Sequence, residues 1–534
     1  MNEGVLPLAI GGWPDFAPVL IVALPFVSVL AILAANGRSR LQYKLGLATG
    51  LTIGGLLAFT GAAIIDTGSV PSVGLHPFLP GIAFELRVDP FGVLLGGAVA
   101  ASVLVLLPTV TTGHLSVNPT TLHSGLLGAM GAGLGILFAG NLVVMFVFFQ
   151  ILTVSLFVLL RVSAATDARA IGYRFLGYSF TGDLMLLGGL RVLYWQTGSV
   201  TFVAGGMPGL RESAMTEPWL AQLAFALLLG GLAIRTAVLP AHRWFLDAAS
   251  TPPGVFALGF ATIAVTSGAA GIGRVLMDAF GPTLVSGLDL GWPLVGVLII
   301  ALALGNLRAI GSTRQIDRIS FLTICGTIHG VLGLVGFSGA AIAGGAGYLA
   351  VHTLGIAAIA VGWISISYAD SWGTIPADNP SVFSAWWPSA IAFTFGAATV
   401  LGVPALAGFP TVIPLLVGTA GAMQGLVAFA LAVSLVIHLA VLIAIARDTD
   451  GLVFPTPSPG SPPTVPTVDG QSISTNSSGR RVPDRRLDSQ WVVPRWPAVF
   501  IAALLLFIGI APGTSGLLPL VRSLEGLVIW AVVG

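Results

Sequence analysis

Long apolar runs follow one another along almost the whole of this sequence, and they restrict its fold more than any other feature. Most of these runs are long enough to cross a hydrocarbon core about 30 Å thick as a helix. About fourteen of them lie near residues 16–35, 45–64, 91–110, 123–140, 142–160, 172–195, 219–239, 253–277, 285–305, 319–338, 341–366, 385–402, 411–446 and 497–512. Only 8% of the residues are charged, against about a quarter in soluble domains. The sequence therefore predicts an all-α polytopic membrane protein with about 14 transmembrane helices.

The basic residues between these runs predict the orientation of the chain. They cluster in alternate connections, at residues 38–44, 161–174, 243, 308–318 and 447–495. Connections rich in arginine and lysine remain in the cytoplasm. We therefore expect a multi-pass protein of the cell membrane, with its N-terminus outside and residues 447–496 in the cytoplasm. The opposite side holds few basic residues, chiefly Arg87, Arg211 and Arg274.

One region differs from the rest in composition. Residues 447–496 are rich in proline, serine and glycine, and such a segment buries too little apolar surface to offset the entropy of ordering it. We expect a disordered cytoplasmic linker. It divides the chain into N-terminal transmembrane helices (1–83), a core (84–446), the linker (447–496) and a C-terminal transmembrane helix with an amphipathic tail (497–534). Whether residues 514–533 span the membrane is left open.

Several classes of function are excluded by composition and spacing. The single cysteine, Cys325, rules out an internal disulfide and a cysteine-rich metal site. The histidines lack metal-ligand spacing, and a net charge of +1 gives no general attraction to nucleic acid. Glycine-rich stretches follow no strand, so they indicate helix packing rather than a nucleotide loop. We expect no cofactor and no catalytic chemistry of the chain's own.

The most informative stretch lies between residues 230 and 274. Here an apolar run contains Arg235, breaks at Pro240 and resumes after a polar patch that includes His242 and Asp247. A break frees backbone N–H and C=O groups that lipid cannot satisfy, so it is tolerated only inside protein or beside a hydrated cavity. The sequence therefore predicts a polar path through the helical bundle.

This stretch resembles the signature of the antiporter-like, proton-conducting membrane subunits of respiratory complex I, multisubunit Na+/H+ antiporters, membrane-bound hydrogenases and DAB-type inorganic carbon pumps. The matching residues are Arg235, Pro240, His242, Trp244, Asp247, Ala248, Thr251 and Pro252. Segments 84–96, 139–160, 306–326 and 402–410 also resemble the family in order and spacing. The resemblance covers residues 84–446 and implies a proton-conducting core of two inverted repeats, with broken helices near 235–253 and 402–414.

Departures from the family pattern fall on its titratable positions. The family's glutamate falls on Gln150, one lysine on Arg235, another on Val412, and a histidine on Phe260. An amide does not bind and release a proton, and an arginine stays charged at physiological pH. Of the family's stations, a second histidine is retained as His352. A complete proton relay of the usual kind is therefore not expected.

The candidate ion path contains charged or amide side chains and histidines. Its members are Arg235, His242, Asp247, Asp183, His352, Gln150 and His438. A charge in the membrane interior indicates a partner or a wet cavity, although Arg235 could instead extend to the cytoplasmic end of its helix. Asp183 either pairs with a basic group or caps a helix after Gly182.

The histidines are the groups best suited to titrate near neutral pH. They are His242, His329, His352 and His438, in or near the apolar runs. A single histidine on an apolar helix is ordinarily a hydrogen-bonded core residue, but His352 occupies a position where the family places a protonatable group. Asp89, beside Arg87, is interpreted as a helix cap and ion pair at the membrane surface.

Two hypotheses for the function remain. In the first, the chain is a membrane subunit that couples movement of protons or Na+ to a partner subunit's activity; the preferred subfamilies are inorganic carbon pumps and Na+/H+ antiporters. In the second, it is a degenerate relative that mainly anchors a partner, or a subunit of the complex I or hydrogenase type. Membership in an NADH:quinone oxidoreductase complex is left open. The expected partners are other subunits of a membrane complex, the lipid bilayer and protons or Na+, with no nucleic acid.

Overall fold

The computed structural model describes residues 16–79, 82–110, 118–162, 167–251, 254–370, 380–422, 425–448 and 496–510. Within these ranges, 11 helices are long and apolar enough to cross a membrane. The predicted all-α polytopic fold is confirmed, while the number of 14 transmembrane helices stays a prediction. Most of the linker 447–496 and the tail after residue 510 lie outside the described residues.

The helices, numbered here in chain order, alternate with short connections. They are α1 (Ala17–Ala34), α2 (Ser39–Thr67), α3 (Pro90–Val110), α4 (Pro119–Leu137), α5 (Leu142–Val162), α6 (Ala168–Thr197), α7 (Leu210–Thr216), α8 (Pro218–Arg235), α9 (Arg243–Ala249), α10 (Gly254–Arg274), α11 (Gly281–Gly287), α12 (Gly291–Gly311), α13 (Gln315–Val335), α14 (Gly339–Asp370), α15 (Pro380–Val400), α16 (Phe409–Ala422), α17 (Leu426–Asp448) and α18 (Trp496–Ile510). A π-helical turn, Val275–Phe280, joins α10 to α11. The apolar run predicted at 411–446 is thus divided between α16 and α17.

An antiparallel hairpin between α2 and α3 is the exception to the helical fold. Its strands are β1 (Ser72–Leu79) and β2 (Ile82–Arg87), paired from Ser72 opposite Arg87 to Leu79 opposite Ile82. The sequence analysis did not predict it, although the Pro80–Gly81 dipeptide between the strands is a turn signal. The hairpin ends two residues before α3 and so places Arg87 and Asp89 at the start of that helix.

The first predicted break lies between α8 and α10. Helix α8 ends at Arg235, the short helix α9 follows, and α10 begins at Gly254. The indole Nε1 of Trp244 donates to the backbone oxygen of Ile234 at 2.9 Å, and the same oxygen accepts the backbone N–H of Ala237 at 3.1 Å. The ring of Trp244 is held in turn by Phe175 on α6, with ring centres 5.5 Å apart.

The second predicted break lies between Val400, the last residue of α15, and Phe409, the first of α16. Gly402 and Ala405 have φ values of 72° and 71°, a left-handed conformation that reverses the chain locally. The hydroxyl of Tyr348 donates to the oxygen of Val400 at 2.9 Å. At each break, therefore, an aromatic side chain donates a hydrogen bond to a backbone oxygen at the end of a helix.

Helix α14 lies in the middle of the bundle. All of its residues from Ala341 to Gly362 are buried inside the protein, and it packs against α3, α10, α13, α15 and α16. Its approach to α13 is close because Gly345 faces Gly330 and Gly333, where any added Cβ would collide with backbone atoms. Small residues of this kind allow helices in membranes to pack backbone to backbone. Residues on α13 and α14 are thereby brought within contact distance.

Candidate ion-translocation site

A buried ion pair occupies the end of the first broken helix. The guanidinium of Arg235 donates through Nη2 to the carboxylate of Asp183 on α6 and through Nη1 to the hydroxyl of Thr153 on α5. It also lies 5.2 Å from the centre of the Phe149 ring. The side chains of Arg235 and Asp183 are only 7% and 12% exposed. Arg235 therefore does not extend to the membrane surface.

Asp183 lies inside α6, which continues without interruption from Ala168 to Thr197. The interpretation of this residue as a helix cap after Gly182 is therefore wrong, and the alternative of a pair with a basic group is what the structure shows. Gly182 and Gly231 bring α6 and α8 together, since a Cβ on Gly231 would lie 2.7 Å from the oxygen of Gly182. Burial of two isolated charges is costly, and their pairing offsets that cost.

A small cavity borders the Arg235 side of the ion pair. Its volume is about 10 Å³, and its lining includes Phe149, Ser179, Arg235 and Trp244. A cavity of this volume is at the lower limit for one water molecule. The Nε atom of Arg235 is buried and has no hydrogen-bond partner among the described residues. Arg235 thus contacts both the carboxylate of Asp183 and a space of the size of a single water molecule.

Gln150 does not take part in this pair. It is partly buried on α5, and its Nε2 donates to the oxygen of Phe146 in its own helix at 3.4 Å. Thr153, nearly one turn further along α5, provides the contact with Arg235 instead. Sequence reasoning missed Thr153 and Phe149. The available signal was their position on the same stretch of α5 as Gln150, which the resemblance had already marked.

His242 and Asp247 lie together at the other end of the first break, separate from Arg235. Asp247 accepts hydrogen bonds from Arg174 at 2.9 Å and pairs with Arg243 at 3.2 Å. Both His242 and Asp247 line a cavity of about 560 Å³, whose other charged members are Arg243, Arg308, Arg314 and Asp317. Partial burial lowers the pKa of His242, and the nearby Arg308 and Arg243 lower that pKa further, against the opposite effect of the Pro240 carbonyl.

Three histidines that lie far apart in the sequence meet in the second half of the bundle. His329 on α13 stacks on His438 of α17, with ring centres 5.1 Å apart. His352 on α14 stacks on Tyr348, with ring centres 5.7 Å apart, and Tyr348 in turn lies beside His329. We name the group of His329, His352, His438 and Tyr348 the histidine cluster. All four residues are buried.

The sequence marked His352 and His438 as candidates but did not place His329 with them. Their separations, 23 and 109 positions from His329, follow no helical or metal-ligand period. Only the packing of α14 and α17 against α13 brings the three rings together. Within the described ranges, no three His, Cys, Asp or Glu side chains are arranged to hold a metal ion.

A network of four charges lies at the start of α3 and the end of α10. Arg274 donates from Nη2 to Asp89 at 2.9 Å and from Nη1 to Asp278 at 2.9 Å, and Arg87 donates to Asp278 at 3.1 Å. Asp89 also accepts the backbone N–H of Gly92 at 2.8 Å. The cap and ion pair expected for Asp89 are thus both present. Sequence reasoning missed Asp278, although it lies four positions after Arg274, a spacing at which opposite charges pair on a helix.

A family model and several individual proteins match this chain over much of its length. The family model described as "NADH:quinone oxidoreductase/Mrp antiporter, TM" matches residues 139–438. NADH-quinone oxidoreductase subunit N of Deinococcus radiodurans is 27% identical over 406 residues, which cover 74% of this chain and 80% of that protein. The subunit N of Geobacillus kaustophilus is 29% identical over 342 residues, which cover 61% of this chain and 65% of that protein.

Solved structures share the fold at lower identity. A chain of the Mrp complex from Dietzia sp. DQ12-45-1b has a TM-score of 0.74 at 19% identity, covering 98% of this chain and 100% of its own. A chain of respiratory complex I from Thermus thermophilus has a TM-score of 0.67 at 19% identity, covering 96% and 99% respectively. The arrangement of helices therefore extends over nearly the full length of both comparison chains.

Proposed function

Because this chain belongs to the NADH:quinone oxidoreductase/Mrp antiporter family of transmembrane proteins, we propose that it is the antiporter-like membrane subunit of a multisubunit, proton-translocating complex. The relatives named above are subunits of NADH-quinone oxidoreductases or chains of respiratory and Mrp complexes. In this proposal its partners are other membrane subunits and its ion is the proton. The chain lies in the cell membrane with its N-terminus outside.

The observation that most supports this function is the buried pair of Arg235 and Asp183. A charged residue in the membrane interior is costly and is generally retained for function. Arg235 stays protonated at physiological pH, so the proton-binding member of the pair is Asp183. Asp183 binds Arg235 where the first broken helix ends, and the cavity of about 10 Å³ beside Arg235 would bring a water molecule next to the pair.

Polar side chains connect α10 with the second half of the bundle. The hydroxyls of Thr266 on α10 and Thr353 on α14 are 2.8 Å apart, and His352 immediately precedes Thr353. The Nε2 atom of His352 lies 3.0 Å from the oxygen of Thr323 on α13. In this proposal a proton that leaves Asp183 crosses α10 toward the histidine cluster. In this arrangement the histidines replace the lysines that the family pattern places in the second half.

The choice among complexes rests on the relatives. The curated relatives described above are quinone oxidoreductase subunits, so we favour a complex of the complex I type over the inorganic carbon pump and Na+/H+ antiporter that the sequence suggested. The variant segment HRWFLD at 242–247 is the feature that favours the carbon-pump branch. Purification of the native complex and identification of its other subunits would separate these alternatives.

Proton flux in liposomes that contain the intact complex tests the proposed function. We expect Asp183→Asn to abolish flux, because an amide beside Arg235 binds no proton, and Asp66→Asn to leave flux unchanged, because Asp66 is exposed at the end of α2. Assembly of each variant is verified by co-purification of the partner subunits. Wild-type flux in the Asp183→Asn complex would contradict the proposal.

A second candidate function is structural anchoring of a partner subunit. The observation that favours it is Gln150, an amide at the family's glutamate position whose Nε2 bonds to the oxygen of Phe146 rather than to Arg235. In this case the wild-type complex would remain assembled and carry no proton current above that of empty liposomes. Measurable current in the wild-type complex would exclude anchoring as the sole function.

A further inference from the structure

A continuous series of hydrogen bonds crosses the second half of the bundle. Asn306 Nδ2 on α12 donates to Ser434 Oγ on α17 at 2.8 Å, and Ser434 Oγ lies 2.8 Å from His329 Nε2. His329 Nδ1 lies 3.4 Å from the hydroxyl of Tyr348. That hydroxyl donates to the oxygen of Val400, where the second broken helix ends. The series therefore joins α12, α17, α13 and α14 to the break.

The directions of the hydrogen bonds in this series decide which ring nitrogen of neutral His329 carries the hydrogen. The Tyr348 hydroxyl gives its hydrogen to Val400, so it accepts from His329 Nδ1–H. The His329 Nε2 atom is then the acceptor, and Ser434 donates to it while accepting from Asn306. A proton added to His329 goes to Nε2, and Ser434 must then rotate its own hydrogen away. The Oδ1 atom of Asn306 belongs to the same amide and has no partner among the described residues, so it can receive that hydrogen once the amide turns over.

Several ring nitrogens around this series lack protein partners. Both nitrogens of His438 and the Nδ1 atom of His352 are buried and have no hydrogen-bond partner within the described part of the chain. Both residues are at most 1% exposed. Buried polar atoms in proteins are almost always bonded to protein or to ordered water. These nitrogens belong to His438, which stacks on His329, and to His352, which stacks on Tyr348 beside His329, so they point to a common hydrated site.

We propose that His329 and His438, together with Ser434 and Asn306, form a hydrated proton-binding station that holds one excess proton. The proton arrives from a neighbouring water as hydronium, binds a ring nitrogen of the stacked pair, and leaves to water on the other side. Two imidazolium rings with centres 5.1 Å apart would repel each other, so the pair holds one proton at a time. This inference deepens the proposed function and rests on it.

The surroundings of the station are uncharged within the described residues. Titratable groups that face it are Cys325 on α13 and His352 and Tyr348 on α14, while α12 and α17 contribute the amide of Asn306 and the hydroxyl of Ser434. None of these groups is a fixed counter-ion. An excess proton is therefore held only transiently, as proton relay requires, because no carboxylate among these groups traps it.

Two measurements on the intact complex test the station, with variants His329→Gln and His438→Gln and the control His123→Gln. His123 is also buried, but it lies on α4 and its Nδ1 atom contacts only the Pro119 oxygen within the described residues. The first measurement is water-edited ¹⁵N NMR of the complex labelled at its histidines, with the resonances assigned by loss in each variant. We expect water contact at His438, and a neutral His329 with its hydrogen on Nδ1. If His438 shows no contact with water, the proposal is wrong, whatever proton flux is measured.

The second measurement is proton flux in liposomes. We expect His329→Gln and His438→Gln each to lower proton flux about a hundredfold. The double variant should lower flux no further, and His123→Gln should match wild type. Ser434→Ala should lower flux and Ser434→Thr, which keeps the hydroxyl, should restore it. If the wild type conducts and both histidine variants match it, the station is wrong and the proposed function stands. If the assembled wild type does not conduct, the proposed function and the station both fail.

Discussion

Arg274 and Asp89 lie 185 positions apart in the chain and are joined by two hydrogen bonds, one of them 2.9 Å from Nη2 to Oδ1. This ion pair connects the end of α10 to the start of α3. The guanidinium of Arg274 also donates to the oxygen of Leu137 at the end of α4, at 2.7 Å. One side chain thereby holds three helices together at one face of the bundle.

Replacing Arg274 is expected to destabilise the protein strongly. Arg274→Gln leaves Asp89 and Asp278 buried without their main cation, and breaking a buried pair in this way costs about 3–5 kcal/mol. Thermal unfolding in detergent would measure the change in stability. Arg211→Gln is the matched control, because Arg211 is exposed on α7. Equal unfolding temperatures for the two variants would show that the network contributes little.

The contact between Arg235 and Thr153 is expected to matter more than the side chain of Gln150. Thr153→Val removes the oxygen that accepts from Arg235 Nη1, and a buried donor left without a partner costs about 1–3 kcal/mol. Thr153→Ser should retain most of the stability. Gln150→Ala should change stability by less than about 0.5 kcal/mol, because its bond stays within α5. A larger loss in Gln150→Ala than in Thr153→Val would contradict this order.

The pKa of His242 is expected to rise when a neighbouring arginine is removed. Arg308 and Arg243 lower this pKa by repelling the imidazolium, so Arg308→Gln should raise it, and Arg40→Gln, on α2, should not. Because the folded-state pKa of His242 lies below its unfolded value of about 6.5, the unfolded chain binds more protons in acid. Stability therefore falls as the pH decreases below that unfolded value. Histidine NMR titration would measure the shift, and an unchanged or lower pKa in Arg308→Gln would exclude the electrostatic explanation.

Helix α13 is expected to tolerate no side chain at Gly326. An added methyl group there would overlap the ring of His352 on α14, and overpacking of this kind costs about 1–3 kcal/mol. We expect Gly326→Ala to lower the unfolding temperature and, by displacing His352, to reduce proton flux. Gly421→Ala is the control, because nothing lies within 4 Å of a Cβ at that position. Unchanged flux in Gly326→Ala would show that the position of His352 is not required.

Much of the fold was predictable because the membrane limits the alternatives. Apolar runs of sufficient length must form helices in lipid, and the breaks after Arg235 and Val400 followed from polar or helix-breaking residues inside such runs. The hairpin of β1 and β2 was missed because its strands are short and lie outside the long runs. The single run assigned to 411–446 concealed the division between α16 and α17, since apolar content alone does not mark a helix end.

The site was predictable in its residue types and not in its contacts. Arg235 and Asp183 were marked because charges are rare in apolar runs, and their pairing was one of two interpretations that the sequence left open. Thr153 was not marked, because a threonine in a membrane helix ordinarily bonds to its own backbone. His329 was identified as titratable, but nothing in its surroundings along the chain connected it with His438.

The sequence by itself determined that this chain is a polytopic helical membrane protein of the antiporter-like family, with interrupted helices and with Arg235 and Val412 where lysines were expected. Those conclusions depend on composition, on the length of the apolar runs and on the order of residues within them, all of which can be read from the sequence alone. The tertiary structure alone decided that Asp183 faces Arg235, that Asp278 completes the network of Arg274, and that His329 stacks on His438. Such contacts depend on how helices rotate and cross, and that geometry arises from packing between segments far apart in the chain.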